Sequence, residues 1–391
     1  MTPRSQCILI AVAIFLALSD LCARAATLAP ALADTARAPS HSRSSEDGWF
    51  DLSGFLDEKF GFLPVILPIT EPAVGYGAGV ALAFMSRPLG QVRAGFGRPN
   101  ISAAGGFGTE NGTWGAAAGD QRNWRNDRLQ TSVGIGSASV NLDFYGIGDD
   151  AWLNDHPVRY TLEPKAGLIE AKLRVGHSCW WTGLSYAFAA TRVSFETPAE
   201  NSPLPDSQRD SRVGGLTPSV TYDSRENMFT PLCGTYVEAR ASVYSEALGG
   251  DAEFQRLRLV AIQYFDPGRN WILGLRGEGA AAFGDAPFYM LPFVYFRGVP
   301  AMRFQGEEMA QAETELRWQF WKRFSLVGFM GVGTAWNDFE QLAEQQTVVA
   351  GGTGFRYELA REYGIHAGLD VGFGPETTAI YVQVGSAWLR P

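Results

Sequence analysis

Between Gln311 and Phe320 the side chains change character at every step. Ala312, Thr314, Leu316, Trp318 and Phe320 are apolar or tolerate an apolar setting, whereas Glu313, Glu315, Arg317 and Gln319 are polar. A period of two puts the two sets on opposite faces of one extended strand. Gly234–Tyr244 repeats the pattern, with Val237, Ala239, Ala241 and Val243 against Tyr236, Glu238, Arg240 and Ser242. So does Ile365–Phe373, where Ile365, Ala367, Leu369, Val371 and Phe373 alternate with His366, Gly368, Asp370 and Gly372. Beyond residue 25 no apolar run approaches the roughly 18 residues of a spanning helix. From about residue 73 onward the chain is therefore expected to be built of strands.

Soluble sandwiches alternate too, and three features favour a membrane instead. The runs are about 10–14 residues long, against five or six in soluble strands. Small residues crowd the polar faces, consistent with 45 glycines in the chain and with a narrow or filled barrel interior. Connections alternate between short and long, as a barrel with turns on one side of a bilayer and loops on the other requires. Reading back from a last strand at Thr378–Trp388, the loop Gly374–Thr377 is followed by the tight Leu359–Glu362, the longer Asn337–Gln346 and the tight Trp321–Arg323. The long Phe283–Glu308, the tight Asp266–Asn270 and the longer Ser245–Ala252 come next, then Thr197–Ser211 and Asp149–Glu163. The pattern gives about 15 strands, and both ends on one side of the membrane demand an even number. Phe60–Ile69 supplies the sixteenth, since its Pro64 and Pro68 are tolerable in a first strand. The expected fold is all-β: a transmembrane antiparallel barrel over residues 60–391.

Residues 1–25 read as a signal peptide, with Arg4, an apolar Cys7–Leu18 and an Ala23-Arg24-Ala25 cleavage site. Their removal takes the net charge from -9 to -10, which argues against nucleic acid as a partner. Residues 26–59 are expected to be a leader without periodicity, ending in a short amphipathic segment from Trp49 at the barrel mouth. The stretch from Ala26 to Pro72 falls below the roughly 50 residues of a minimal domain, so no folded N-terminal domain is expected there. Two of the four cysteines leave with the signal peptide, and Cys179 and Cys233 make neither a framework nor a zinc site.

Certain motifs carry a resemblance. Tyr222-Asp223-Ser224-Arg225-Glu226-Asn227, followed by Phe229-Thr230-Pro231 and Gly234, resembles a strand-and-turn signature of the BamA/TamA superfamily, the bacterial surface antigens. Phe296-Arg297-Gly298, within the longest loop, is similar to the Arg-Gly motif of that family's inserted loop. The resemblance implies that this loop folds back into the barrel and that its arginine meets an inner-wall acid. Glu313-Thr314-Glu315-Leu316-Arg317 is similar to the family's Glu-Leu-Arg strand and makes Glu315 that partner. In Phe329-Met330-Gly331-Val332-Gly333 a glycine stands where the family carries a second acid, so Glu315 is expected to act alone, with Glu313 as its only helper. Val382-Gln383-Val384-Gly385-Ser386-Ala387-Trp388 is similar to a closing assembly signal, with Gln383, Gly385 and Trp388 as its marks and Trp388 facing lipid. The last strand is expected to pair with the first.

No enzyme signature competes. His41, His156, His177 and His366 are scattered, with no serine placed to complete a triad. Gly75-Tyr76-Gly77-Ala78-Gly79 lacks a phosphate-loop lysine, and no His/Cys cluster or cofactor motif is present. The resemblance implies a monomeric barrel of the protein-insertion and translocation superfamily, in contact with outer-membrane lipid, with the barrel-assembly machinery during biogenesis and with client proteins. A passive pore or structural barrel is the alternative, and a membrane lipid hydrolase a remote one.

Overall fold

The computed structural model describes residues 43–44, 47–53, 62–86, 100–147, 153, 156–196, 209–337 and 345–388. The signal peptide, the leader up to residue 42 and His41 lie outside them.

Sixteen antiparallel strands follow one another in a single sheet, each pairing with its sequence neighbours. They are β1 (Phe62–Ile69), β2 (Gly77–Ser86), β3 (Asn100–Thr109), β4 (Trp114–Trp124), β5 (Leu129–Phe144), β6 (Val158–Arg174), β7 (Trp180–Phe195) and β8 (Asp210–Asp223). The second half is β9 (Gly234–Tyr244), β10 (Phe254–Gly268), β11 (Trp271–Gly284), β12 (Glu308–Trp321), β13 (Phe324–Trp336), β14 (Val348–Ala360), β15 (Ile365–Phe373) and β16 (Thr378–Val384). β1 is the strand assigned from Phe60–Ile69, prolines included.

β1 and β16 lie side by side, so the sheet curls into a nearly closed barrel. Among the described residues no ladder joins them: β16 pairs with β15 and β1 with β2. The expected pairing of last strand with first is corrected to an unpaired seam.

The alternation sorts side chains as the period of two requires. Leu316, Trp318, Leu326, Met330, Phe355 and Leu369 stand exposed on the outer face. On β12 the intervening Glu313, Glu315 and Arg317 are turned to the interior and partly or wholly buried. A belt of exposed Leu, Val, Ile, Phe and Trp around a folded barrel is unfavourable in water and favourable against acyl chains, so the wall spans a bilayer. Two-residue turns such as Arg269-Asn270, both at positive φ, link strands at the end where β1 starts and β16 stops. This is the near end of the barrel; the long loops lie at the far end.

Candidate functional site

The loop between β11 and β12, residues 285–307, crosses the barrel. At one shoulder Phe288 is buried among Phe144 of β5, Tyr160 of β6 and Phe195 of β7, with ring centroids 5.1, 5.3 and 6.3 Å away. At its tip Arg297 reaches β12 and β15 on the far wall. Strands half a barrel apart can be touched by one loop only through the interior.

Arg297 is the centre of a buried ionic cluster. Its Nη2 donates to Glu315 Oε2 at 2.8 Å and its Nη1 to Asp370 Oδ2 at 2.6 Å. Arg356 of β14 grips the same Asp370 with two parallel bonds, 2.5 Å to Oδ1 and 2.8 Å to Oδ2. Two donors in a fixed fork match one carboxylate, a geometry lysine cannot offer. The Arg297 guanidinium also lies 3.5 Å from the centroid of the Phe329 ring, a cation over a π face. Asp370 is 0% exposed, so a lone carboxylate there would be costly, and two arginines make it tolerable.

This arrangement corrects the sequence expectation that Glu315 acts alone. The second acid exists, but it comes from β15 as Asp370. Gly331 serves another purpose, since a Cβ there would stand 2.6 Å from the ring of Phe296. The residue that lacks the acid makes room for the aromatic beside Arg297. Gly372 works similarly, because a Cβ on it would lie 2.7 Å from the Arg297 carbonyl. Gly298 has φ +97°, in the region that favours glycine; its N–H donates to Tyr381 Oη at 2.9 Å and its carbonyl accepts from Thr377 Oγ1 at 2.6 Å. Further along, Arg303 makes a bidentate pair with Glu376 at 2.8 and 2.6 Å. Glu71, in the β1–β2 connection, accepts from the Ala301 N–H at 3.2 Å, and burial pushes its carboxyl above the usual range.

The near end is covered by three segments. The turn after β8 carries the Tyr222–Gly234 motif: Asp223 pairs with Arg225 at 2.9 Å, and Arg225 lies over Tyr236 at 4.4 Å. Glu226 receives the Leu232 and Cys233 N–H groups, Pro231 lies buried in the turn and Gly234 takes φ +109°. From this turn Asn227 Nδ2 donates to the Tyr363 carbonyl at 2.9 Å, and the Phe229 carbonyl accepts from the Ser386 N–H at 2.6 Å. The turn therefore reaches across the mouth to the β14–β15 turn and the tail. Cys179 and Cys233 are half-buried and do not pair with each other.

The tail corrects a second expectation. β16 stops at Val384, and Gly385, at φ +81°, redirects the chain. Trp388 does not continue the outward row of Val382 and Val384. It is 4% exposed, packs with Tyr236, Tyr264 and Ile272, and donates from Nε1 to Glu313 Oε2 at 2.9 Å. Gln383 stays within β16, half-buried opposite Gly368.

The third segment, residues 47–53, was expected to belong partly to a loose leader and partly to a mouth segment. It is held by Arg323, which is 1% exposed and contacts Asp47 at 2.6 and 3.0 Å, Asp51 at 2.8 Å and the Phe50 carbonyl at 3.2 Å. Trp49 meets Trp321 and Phe324 edge-on at 5.2 and 5.5 Å. The hydrogen bonds from Arg323 hold the Asp47 carboxyl below its ordinary value. Asp51 is also lowered: burial opposes this, but bonds from Ser53 and Arg323 prevail. Asp370, Arg356, Arg323 and Asp47 carry no motif that sequence reading could have used.

A wall of sixteen strands with an apolar exterior and a loop across its interior defines a transmembrane barrel. No protein-family model matches the chain, and no curated protein sequence matches it. Among solved structures it is similar to BamA from Haemophilus ducreyi lacking POTRA domains 1–3, with TM-score 0.50 and 11% identity over 88% of this chain and 80% of that one. It is similar to CdiB from Escherichia coli (TM-score 0.59, 10% identity, 82% and 61% of the two chains) and to CdiB from Acinetobacter baumannii (0.51, 8%, 82% and 58%). The chain thus spans about three fifths of the CdiB chains. What is shared at this identity is the fold, which is that of a BamA-type barrel.

Proposed function

We propose that the protein is a bacterial outer-membrane barrel of the BamA/TamA superfamily that handles polypeptides in insertion or secretion, with the β1–β16 seam as the working edge. The observation that carries this reading is the combination, in a BamA-type fold, of an Arg-Gly loop tip anchored at Glu315 and Asp370 with a seam that has no ladder among the described residues. Unpaired strand edges are templates for another strand, and the loop tip, bonded to Asp370 of β15, Tyr381 of β16 and Glu71 just beyond β1, braces the strands on both sides of the seam. In this reading Arg297, Gly298 and Glu315 form the clamp, and the Tyr222–Gly234 turn and the Gly385–Trp388 tail brace the near end. The signal peptide delivers the chain, the barrel-assembly machinery folds it, and the mature protein works as a monomer in outer-membrane lipid, without a cofactor and without enzymatic chemistry.

Reconstitution tests the reading. Proteoliposomes containing the mature chain should fold a small unfolded test barrel faster than empty liposomes, and a disulfide between β1 and β16 should abolish the gain. Equal rates with and without the protein would overturn it. A passive pore is the second reading, favoured by a groove of about 470 Å³ along the inner wall of β2 to β6. Steady single-channel conductance that rises when residues 286–306 are deleted would support the pore instead.

A further inference from the structure

Most cations inside the barrel have a carboxylate within 3 Å. Lys172 and Arg240 meet Glu238 at 2.8 and 2.9 Å, Arg258 meets Glu278 at 2.6 Å, Arg276 meets Glu313 at 2.7 Å, and Arg297 and Arg356 share Asp370. Arg317 departs from the rule. It is 8% exposed, and no hydrogen bond or ion pair to its guanidinium is present among the described residues. It borders a cavity of about 20 Å³ together with Thr230, Tyr264, Glu315, Arg356, His366 and Ser386.

Each neighbour is already committed or has a proton to spare. Glu315 is held by Arg297, and Glu358, the next inward acid on β14, faces Arg361 at 3.9 Å. His366 lies with Nδ1 3.3 Å from the Gly364 carbonyl. Thr230 is 6% exposed, and its buried Oγ1 has no hydrogen-bond partner among the described residues. Tyr264 Oη and Ser386 Oγ are 2.8 Å apart; a pair of hydroxyls uses one proton between them and leaves the other free to donate. Arg297 and Arg356 hold Glu315 and Asp370 by direct bonds, which leaves Arg317 to feel the Glu315 and Glu358 carboxylates only through space. An unpaired buried cation is strongly disfavoured. Water could satisfy its N–H groups but not its charge.

We propose that a monovalent anion of chloride size binds in this cavity, received by the Arg317 guanidinium and the hydroxyls of Thr230 and Ser386. The volume suits one or two water-sized occupants and is too small for a phosphate-sized oxyanion. The site touches the loop clamp through Glu315 and the tail through Ser386, so an anion there ties the two together.

The test uses the full mature chain folded in detergent, comparing chloride with gluconate at matched ionic strength. Chloride should raise the unfolding midpoint and saturate, since a ligand that binds only the folded state stabilises by mass action. Arg317→Met should lose that saturable rise and, in gluconate, be at least as stable as the parent, because the uncompensated charge is gone. Thr230→Val should weaken the halide by about tenfold. Crystals grown in bromide should show anomalous density within hydrogen-bonding distance of the Arg317 guanidinium. Water alone at that position under saturating bromide, or an unchanged chloride response in Arg317→Met, would overturn the proposal.

Discussion

The barrel interior has two halves of opposite character. In the middle of β2 to β6 the inward residues are Gly79, Gly105, Phe107, Ala117, Gly136 and Ala166, which leave the open groove. From β9 to β15 they include paired charges and large rings, with glycines such as Gly331 and Gly372 where the crossing loop presses in, and the loop and the tail fill the space between them. Both halves present the same apolar exterior, so the bilayer fixes the outer row in each. The inner row is fixed only where something packs against it. Small side chains suffice to line a groove, whereas a buried carboxylate such as Asp370 demands named partners at named positions.

The largest effect is expected where the filled half is most interdependent. Asp370→Asn leaves Arg297 and Arg356 buried with one carboxylate fewer and should cost about 3–5 kcal/mol. It should be read as a drop in the temperature at which the folded band is lost on a gel and as cleavage within residues 285–307. Glu315→Gln should cost less, because Glu315 serves one arginine and is partly exposed. A larger loss from Glu315→Gln would restore Glu315 as the principal anchor.

Trp388→Ala should cost about 3–5 kcal/mol, the usual penalty for deleting a buried large aromatic. Quenchers carried on lipid chains should not reach the Trp388 indole, measured as the difference between parent and Trp388→Phe. Strong quenching of that difference would return the ring to the lipid face.

A direct comparison of the halves comes next. Gly331→Ala pushes a methyl into Phe296 and should cost about 1–3 kcal/mol by overpacking, and Gly331→Asp should do no better despite supplying an acid. Ala166→Leu, pointing into the groove, should change stability by about 0.5 kcal/mol or less. Equal costs in chemical unfolding would erase the distinction between the halves.

The smallest effect concerns the 47–53 segment. Asp47 and Asp51 have folded-state values below the ordinary 3.8, so their contribution is complete above that value. It fades as pH falls through the lowered folded-state values. Acidification to below about pH 4 should therefore release this segment before the barrel unfolds, seen as faster amide exchange at Trp49–Leu52. Unchanged exchange there at low pH would mean that the aromatic contacts of Trp49 hold the segment without the ions.

Much of this architecture is legible in the chain because a strand half in lipid must alternate, and few folds besides a membrane barrel sustain alternation over such long runs. Strand number followed from parity, and the site of Arg297 from a motif. The second acid was hidden because Asp370 looks like any other inward residue of β15; nothing local shows that a loop 73 residues earlier arrives there. The direction of Trp388 was hidden because alternation holds only while the backbone stays extended, and one left-handed residue, Gly385, ends its authority. Arg323 and Asp47 are 276 residues apart, and a polar segment with no period gives no sign of its partner.

The unequal lengths of the strands have a consequence for the surrounding lipid. β6 has 17 residues, whereas β16 has seven and β1 eight. At a rise of ~3.3 Å per residue these reach ~56, ~23 and ~26 Å along the strand, and tilt shortens each against the membrane normal. A hydrocarbon layer is ~30 Å thick. The long wall stands proud of the membrane, and the short wall at the seam falls beneath its surface. Lipid beside β1 and β16 has to compress to keep its tails covered, and thicker bilayers should destabilise this side first, measured as unfolding midpoints across acyl-chain lengths. The membrane is then under the greatest elastic load beside β1 and β16, where no ladder joins the strands among the described residues.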